Sequence, residues 1–234
     1  MPMSQRDNDQ STRDRSISEP FYGQDPHERD FLEGISLSSD LEVEFEEPIA
    51  VGERIRKLRE LKGLSLGDVS QRTGISEETL KSIETDAVAP PLGTLTKLAR
   101  ALDMKMGYLL TGGESRPFVI TRKDERQPVS RLATEQQRKY GYSYLSLSPG
   151  MRDRNMEPFL VTLSPTAEEM PGSVHEGEEF IFVLEGEMEV TIGEHREVLY
   201  PGDSIYYHSS IPHLVKCHQD KPTRILAVLF AETK

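Results

Sequence analysis

Residues 64–84, LSLGDVSQRTGISEETLKSIE, constrain this chain more than any other stretch. Apolar Leu66, Val69, Ile75, Leu80 and Ile83 recur at helical spacing on either side of Gly74. A left-handed turn is cheap only for glycine, so Gly74 marks the joint between two short helices. Ser76 stands as N-cap of the second helix, with Thr79 at the third position after it. Two amphipathic helices joined so tightly must pack on each other through those five apolar side chains. The predicted unit is a helix-turn-helix, a motif that places its second helix in the DNA major groove.

The pattern extends on both sides. Residues 51–62 carry Val51, Ile55, Leu58 and Leu61 at helical spacing, and Gly63 ends the run. Pro90 and Pro91 turn the chain before residues 92–102, where Leu92, Leu95, Leu98, Ala99 and Leu102 share a face. A short helix over 105–110 completes a five-helix domain spanning 48–112. Gly52-Glu53-Arg54-Ile55-Arg56, Thr73-Gly74-Ile75-Ser76, Leu80, Ile83-Glu84 and Leu95-Leu98-Ala99-Leu102 resemble the lambda-repressor-like, Xre-type helix-turn-helix family. That resemblance implies a recognition helix over 77–85 and dimers on two-fold operators.

The candidate DNA-contacting residues are Arg54, Ser65, Gln71, Ser76, Glu77, Glu78, Thr79, Lys81 and Ser82. Thr79, Lys81 and Ser82 can bond bases or phosphates. Glu77 and Glu78 either accept from cytosine amino groups or stabilise the helix N-terminus. Arg54, Arg56, Lys57, Arg59 and Lys62 make the first helix basic, facing either phosphates or solvent. Residues 51–112 hold ten Lys or Arg and eight Asp or Glu, a net charge of only +2. Specific contacts by a dimer are therefore expected rather than strong non-specific binding.

The flanks are acidic, and the whole chain carries −12. Residues 1–47 read as an acidic, disordered tail. Its segment 31–47, which has no basic residue, is either a solvating tail or a strap that competes with DNA for helix 1. No apolar run approaches the roughly 18 residues that span a membrane, and no signal-peptide core opens the chain. Cys217 is the single cysteine, so no intrachain disulfide exists and a reducing cytoplasm fits.

Past a linker at 113–116, periodicity changes from helical to alternating over 117–234. Short strands are expected at 142–147, 158–163, 179–184, 188–192, 204–207 and 224–230, separated by turn residues such as Pro201-Gly202-Asp203. Two segments, 171–186 (PGSVHEGEEFIFVLEG) and 200–218 (YPGDSIYYHSSIPHLVKCH), resemble the two motifs of the cupin family over roughly 140–230. The resemblance implies a double-stranded β-helix, or jelly-roll barrel, and a multidomain α plus all-β chain. It maps metal ligands onto His175, Glu179 and His213. The family's first histidine is replaced by Ser173, and the asparagine after the second-motif histidine by Cys217.

Two histidines and a carboxylate still suit one divalent transition metal ion with open positions. A metal-free barrel that binds a small molecule by hydrogen bonds is the other reading. Ser173, Tyr144, Arg154 and His208 are candidate pocket residues. Tyr142 and Tyr144 share a strand face, which suits a cavity mouth or a packed contact. His195 is expected in a solvated turn, and Glu178 on the face opposite Glu179.

An Xre-type domain followed by a cupin resembles bacterial transcription regulators. That implies a cytoplasmic homodimer on a double-stranded operator, switched by a small-molecule effector. The competing class is a metal-dependent cupin enzyme with an accessory DNA-binding domain. Ser173 breaks the usual ligand set, and no separate nucleophile or acid/base pair is evident.

Overall fold

The computed structural model describes residues 50–112, 116–129, 141–166 and 172–231. The acidic tail and most of the linker lie outside the described residues. The described residues fall within one compact unit.

Five helices open the described chain: α1 (Val51–Leu61), α2 (Leu66–Thr73), α3 (Glu77–Glu84), α4 (Leu92–Ala101) and α5 (Met106–Leu110). Ser65 caps α2 in a reciprocal box with Asp68, each side chain accepting the other's backbone N–H. Gly74 closes α2 at φ 72°, the left-handed value the sequence demands there. Ser76 caps α3 by accepting from the Thr79 N–H. Ile55, Leu58, Val69, Leu80, Ile83, Leu95, Leu98, Leu102 and Leu109 form the buried helical core. Leu61, expected on the inner face of α1, is half exposed because the helix ends there.

Two long-range devices complete the helical domain. The first residues of α1 have no side-chain cap of their own. Asp86, from the loop after α3, supplies one by accepting from the N–H groups of Gly52 and Glu53 at 2.9 and 3.3 Å. Arg59 on α1 grips Glu84 on α3 with two bonds of 2.6 and 2.8 Å. A fork-on-carboxylate pair at this depth fixes the crossing of the two helices.

Nine strands follow: β1 (Gln127–Pro128), β2 (Tyr142–Ser146), β3 (Met156–Leu163), β4 (Glu178–Glu185), β5 (Met188–Ile192), β6 (His195–Leu199), β7 (Ser204–His208), β8 (His213–Cys217) and β9 (Thr223–Phe230). One sheet has the order β1-β2-β3-β9-β4-β7 and the other β6-β5-β8. Every pairing between these strands is antiparallel. Alternation is clean on β9, where Thr223, Ile225, Ala227 and Leu229 turn inward. The sequence gives no sign of β1 or β6. β6 is largely exposed, which weakens its apolar signal, and His195 opens it rather than sitting in a turn.

Candidate functional site

The inward residues of both sheets surround a cavity of about 300 Å³. Its floor is apolar, built from Val161, Leu163, Ile181, Val215, Ile225 and Leu229. Tyr142 and Tyr144 line it from β2, with their rings 5.1 Å apart. Its polar end is the group His175, Glu179 and His213, all buried. These come from the segment before β4, from β4 itself and from the first residue of β8. An isolated bridge between Ser173 and His213 holds the first segment against β8.

The ligand atoms of the three residues lie within 4.8 Å of one another. His175 Nε2 is 2.8 Å and His213 Nε2 3.5 Å from the same oxygen, Oε1 of Glu179. Both Nδ1 atoms face backbone carbonyls, of Glu176 at 3.1 Å and of Ile211 at 2.9 Å. A carbonyl only accepts, so each Nδ1 donates. That leaves both Nε2 atoms to confront a carboxylate oxygen, an arrangement that calls for a shared cation or proton between them. The Tyr207 hydroxyl donates to Glu179 Oε2 at 2.6 Å.

Burial pushes the Glu179 carboxyl up, but the close imidazoles of His175 and His213 and the hydrogen bond from Tyr207 outweigh it and bring it to about 2. Burial lowers His213, yet the bond to Glu179 prevails and raises it. Desolvation beside Glu179 drives the Tyr207 phenol far above its ordinary value. The donor set is thus an anionic carboxylate flanked by two oriented imidazoles, with Ser173 on the rim. It fits a divalent first-row metal ion with open positions toward the cavity.

Two residues expected in this pocket lie elsewhere. His208 is exposed at the end of β7 and meets Glu178, because strand alternation turns both away from Glu179. Arg154 is buried outside the barrel interior, bonded through Nε to Glu157 at 2.8 Å. Tyr144 and Ser173 do line the cavity.

On the helical domain, Glu77, Glu78, Thr79 and Lys81 are exposed along α3, Ser82 is half-buried, and Gln71 is exposed on α2. Ser65 and Ser76 are exposed but engaged as caps. Ser82 Oγ donates to the Glu78 carbonyl at 2.9 Å. Arg54 contradicts its assignment to phosphate. It is 3% exposed, and its Nη1 donates to the Leu109 carbonyl at 3.0 Å. Its neighbours Ile55 and Leu58 set the buried face, and Arg54 falls on that face too. Arg59, held by Glu84, is likewise unavailable to phosphates.

Residues 55–109 match the family described as Helix-turn-helix, and residues 159–229 match the family described as Cupin domain. Over 170 residues the chain is 26% identical to the HTH-type transcriptional regulator PuuR of Escherichia coli, spanning 72% of this chain and 88% of PuuR. Over 68 residues it is 37% identical to the uncharacterized HTH-type transcriptional regulator y4dJ of Sinorhizobium fredii, spanning 29% of this chain and 88% of that one. The fold is shared with the crystal structure of an HTH_3 family transcriptional regulator from Vibrio cholerae. That likeness has a TM-score of 0.55 and 24% identity, over 78% of this chain and 95% of the other.

Proposed function

Because the chain belongs to the helix-turn-helix transcriptional regulators that carry a cupin domain, we propose that a small molecule in the barrel cavity tunes its binding to DNA. In this reading a cytoplasmic homodimer reads the operator with Thr79, Lys81 and Ser82 on α3. Gln71, Glu77 and Glu78 border that surface, while Ser65 and Ser76 hold the helix starts and meet phosphates. His175, Glu179 and His213 would hold one divalent transition metal ion, which would supply an anchoring point for the effector. Tyr144 and Ser173 contact the effector in the rest of the cavity.

The observation that carries the metal and effector reading is the pair of Nε2 atoms aimed at one carboxylate oxygen. Metal-bound, that group would polarise an oxygen or nitrogen of the effector. The chain's own residues do the rest. The carbonyls of Glu176 and Ile211 orient the imidazoles, Tyr207 holds the second Glu179 oxygen, and the apolar floor excludes water.

Dimerisation follows from the recognition mode, in which two helices meet half-sites one DNA turn apart. The helical domain's small net charge supports it, because one domain alone gains little from phosphates. The domain limits 48–112 and 117–234 complete the reading.

Footprinting the full chain on its own upstream DNA, with and without Mn(II) or Fe(II), tests it. Protection of a two-fold site that changes on adding metal is the expected result. The same oxygen-facing triad also suits a metal-dependent enzyme, the second reading. Metal-dependent turnover of a small substrate without specific DNA protection would select it.

A further inference from the structure

The cavity is not closed by the barrel alone. Leu92, Gly93, Thr94 and Lys97, the first turns of α4, form its roof. The approach is close: a β-carbon on Gly93 would overlap Ser173 Oγ and stand 2.9 Å from His175 Cδ2. The contact leaves no room for a side chain at this position. The Leu92 backbone also meets the buried Tyr144 hydroxyl.

Four further contacts hold the domains together. At the far end of α4, Arg100 forms an ion pair with Glu176, the residue after His175. On α5, the Gly107 backbone bonds the buried Glu157 carboxylate. Beside it Lys105 reaches Asp153 at 2.5 Å, and Arg152 lies over the Tyr108 ring.

We propose that the first turn of α4 is a wall of the effector site, so that whatever fills the barrel touches the DNA-binding domain directly. This rests on the effector reading above and specifies its regulation. The segment 173–176 carries one side chain into the metal group and the next onto α4. α4 also packs on α2, and its Leu95 and Leu98 lie in the helical core shared with α3. An occupant that presses on Leu92, Thr94 or Lys97 therefore shifts the seat of the helical domain without a relay of loops. Occupancy and seating are one equilibrium, which is the condition for coupling.

The test uses the full chain carrying Gly93→Cys, Ser173→Cys and Cys217→Ser. Disulfides need β-carbons roughly 3.5–4.5 Å apart. Under native conditions, with chelator and oxidised glutathione, this pair should crosslink about tenfold or more faster than Gly93→Cys with Glu194→Cys. Glu194 lies in the exposed turn between β5 and β6. Equal rates would overturn the roof. The oxidised chain should then differ from its reduced form by about tenfold in affinity for the operator it selects from random DNA. Identical affinities would overturn the coupling.

A chain that crosslinks fast yet selects no DNA would defeat the regulator reading and leave the roof standing. If the cysteines disturb folding, a charge cycle replaces them. Arg100→Glu and Glu176→Arg should each change operator affinity, and their combination should restore it. Simple additivity would count against the proposal.

Discussion

His175 Nε2 lies 2.8 Å from Glu179 Oε1, and the same oxygen faces His213 Nε2 at 3.5 Å. The two imidazole rings stand nearly perpendicular, 83° apart, with centroids separated by 5.2 Å. Both rings have their Nδ1 committed to backbone, so the ring edges that remain converge on one anionic point.

That convergence predicts metal-linked stability. Mn(II), Fe(II) or Co(II) should raise the melting temperature of the wild-type chain. A ligand at about a hundred times its Kd adds about 2.7 kcal/mol. His213→Ala and Glu179→Gln should abolish the increment, whatever their own starting stability. Differential scanning calorimetry with and without chelator reads it, and an undiminished increment in both variants would place the metal elsewhere.

Arg54 and Lys81 separate folding from recognition. Arg54→Ala removes a buried donor from the Leu109 carbonyl, which predicts a loss of about 1–3 kcal/mol in stability. Its folded fraction should keep the wild-type salt dependence of DNA binding. Lys81→Ala should leave urea unfolding unchanged and weaken specific binding by about 1–3 kcal/mol. The reverse pattern would return Arg54 to the DNA surface.

Two helical glycines should respond with opposite sign. A β-carbon at Gly52 would run into the Ile83 carbonyl, a backbone atom that cannot step aside. Gly52→Ala should therefore lose about 1–3 kcal/mol. At Gly67, on the first turn of α2, the nearest atom is the end of the exposed Glu77 side chain at 3.3 Å. Gly67→Ala should gain up to about 1 kcal/mol by restricting the unfolded chain. Chemical denaturation of the two variants decides it.

The Glu157 carboxyl should make the stability of this interface depend on pH. Burial raises it to about 7, with Arg154 and the Gly107 backbone opposing. The folded value then exceeds the unfolded value of about 4.3, so the stabilisation is whole below pH ~4.3 and is lost as pH rises through about 7. Arg154 is the charged partner bonded to it. Between pH 5 and 8 the wild-type chain should lose up to about 3 kcal/mol relative to Glu157→Gln. Parallel pH profiles would show that Arg154 keeps the carboxylate ionised throughout.

Much of the helical domain was legible locally. Caps and turns act within four residues, so Ser65, Gly74 and Ser76 announced the ends of α2 and α3. The barrel was legible where alternation is strong, as on β9. It was illegible on β6, whose side chains are mostly exposed. His175, Glu179 and His213 could be picked out because the two segments that carry them resemble the cupin motifs. His208 and Arg154 were weaker pocket candidates in the sequence, and alternation against Glu179 and the pairing with Glu157 place them elsewhere.

Periodicity and short-range chemistry in the amino-acid order pointed to a helical and an alternating domain and to the helix-turn-helix pair, and the resemblance to the cupin motifs supplied the three candidate ligands. Tertiary structure decided which charges are surface and which are buried. It joined Asp86 to the start of α1, turned Arg54 toward Leu109, and laid Gly93 against Ser173 at the mouth of the barrel. Each of these links residues more than thirty positions apart. Their closeness is set by how whole faces pack, and no local pattern encodes it.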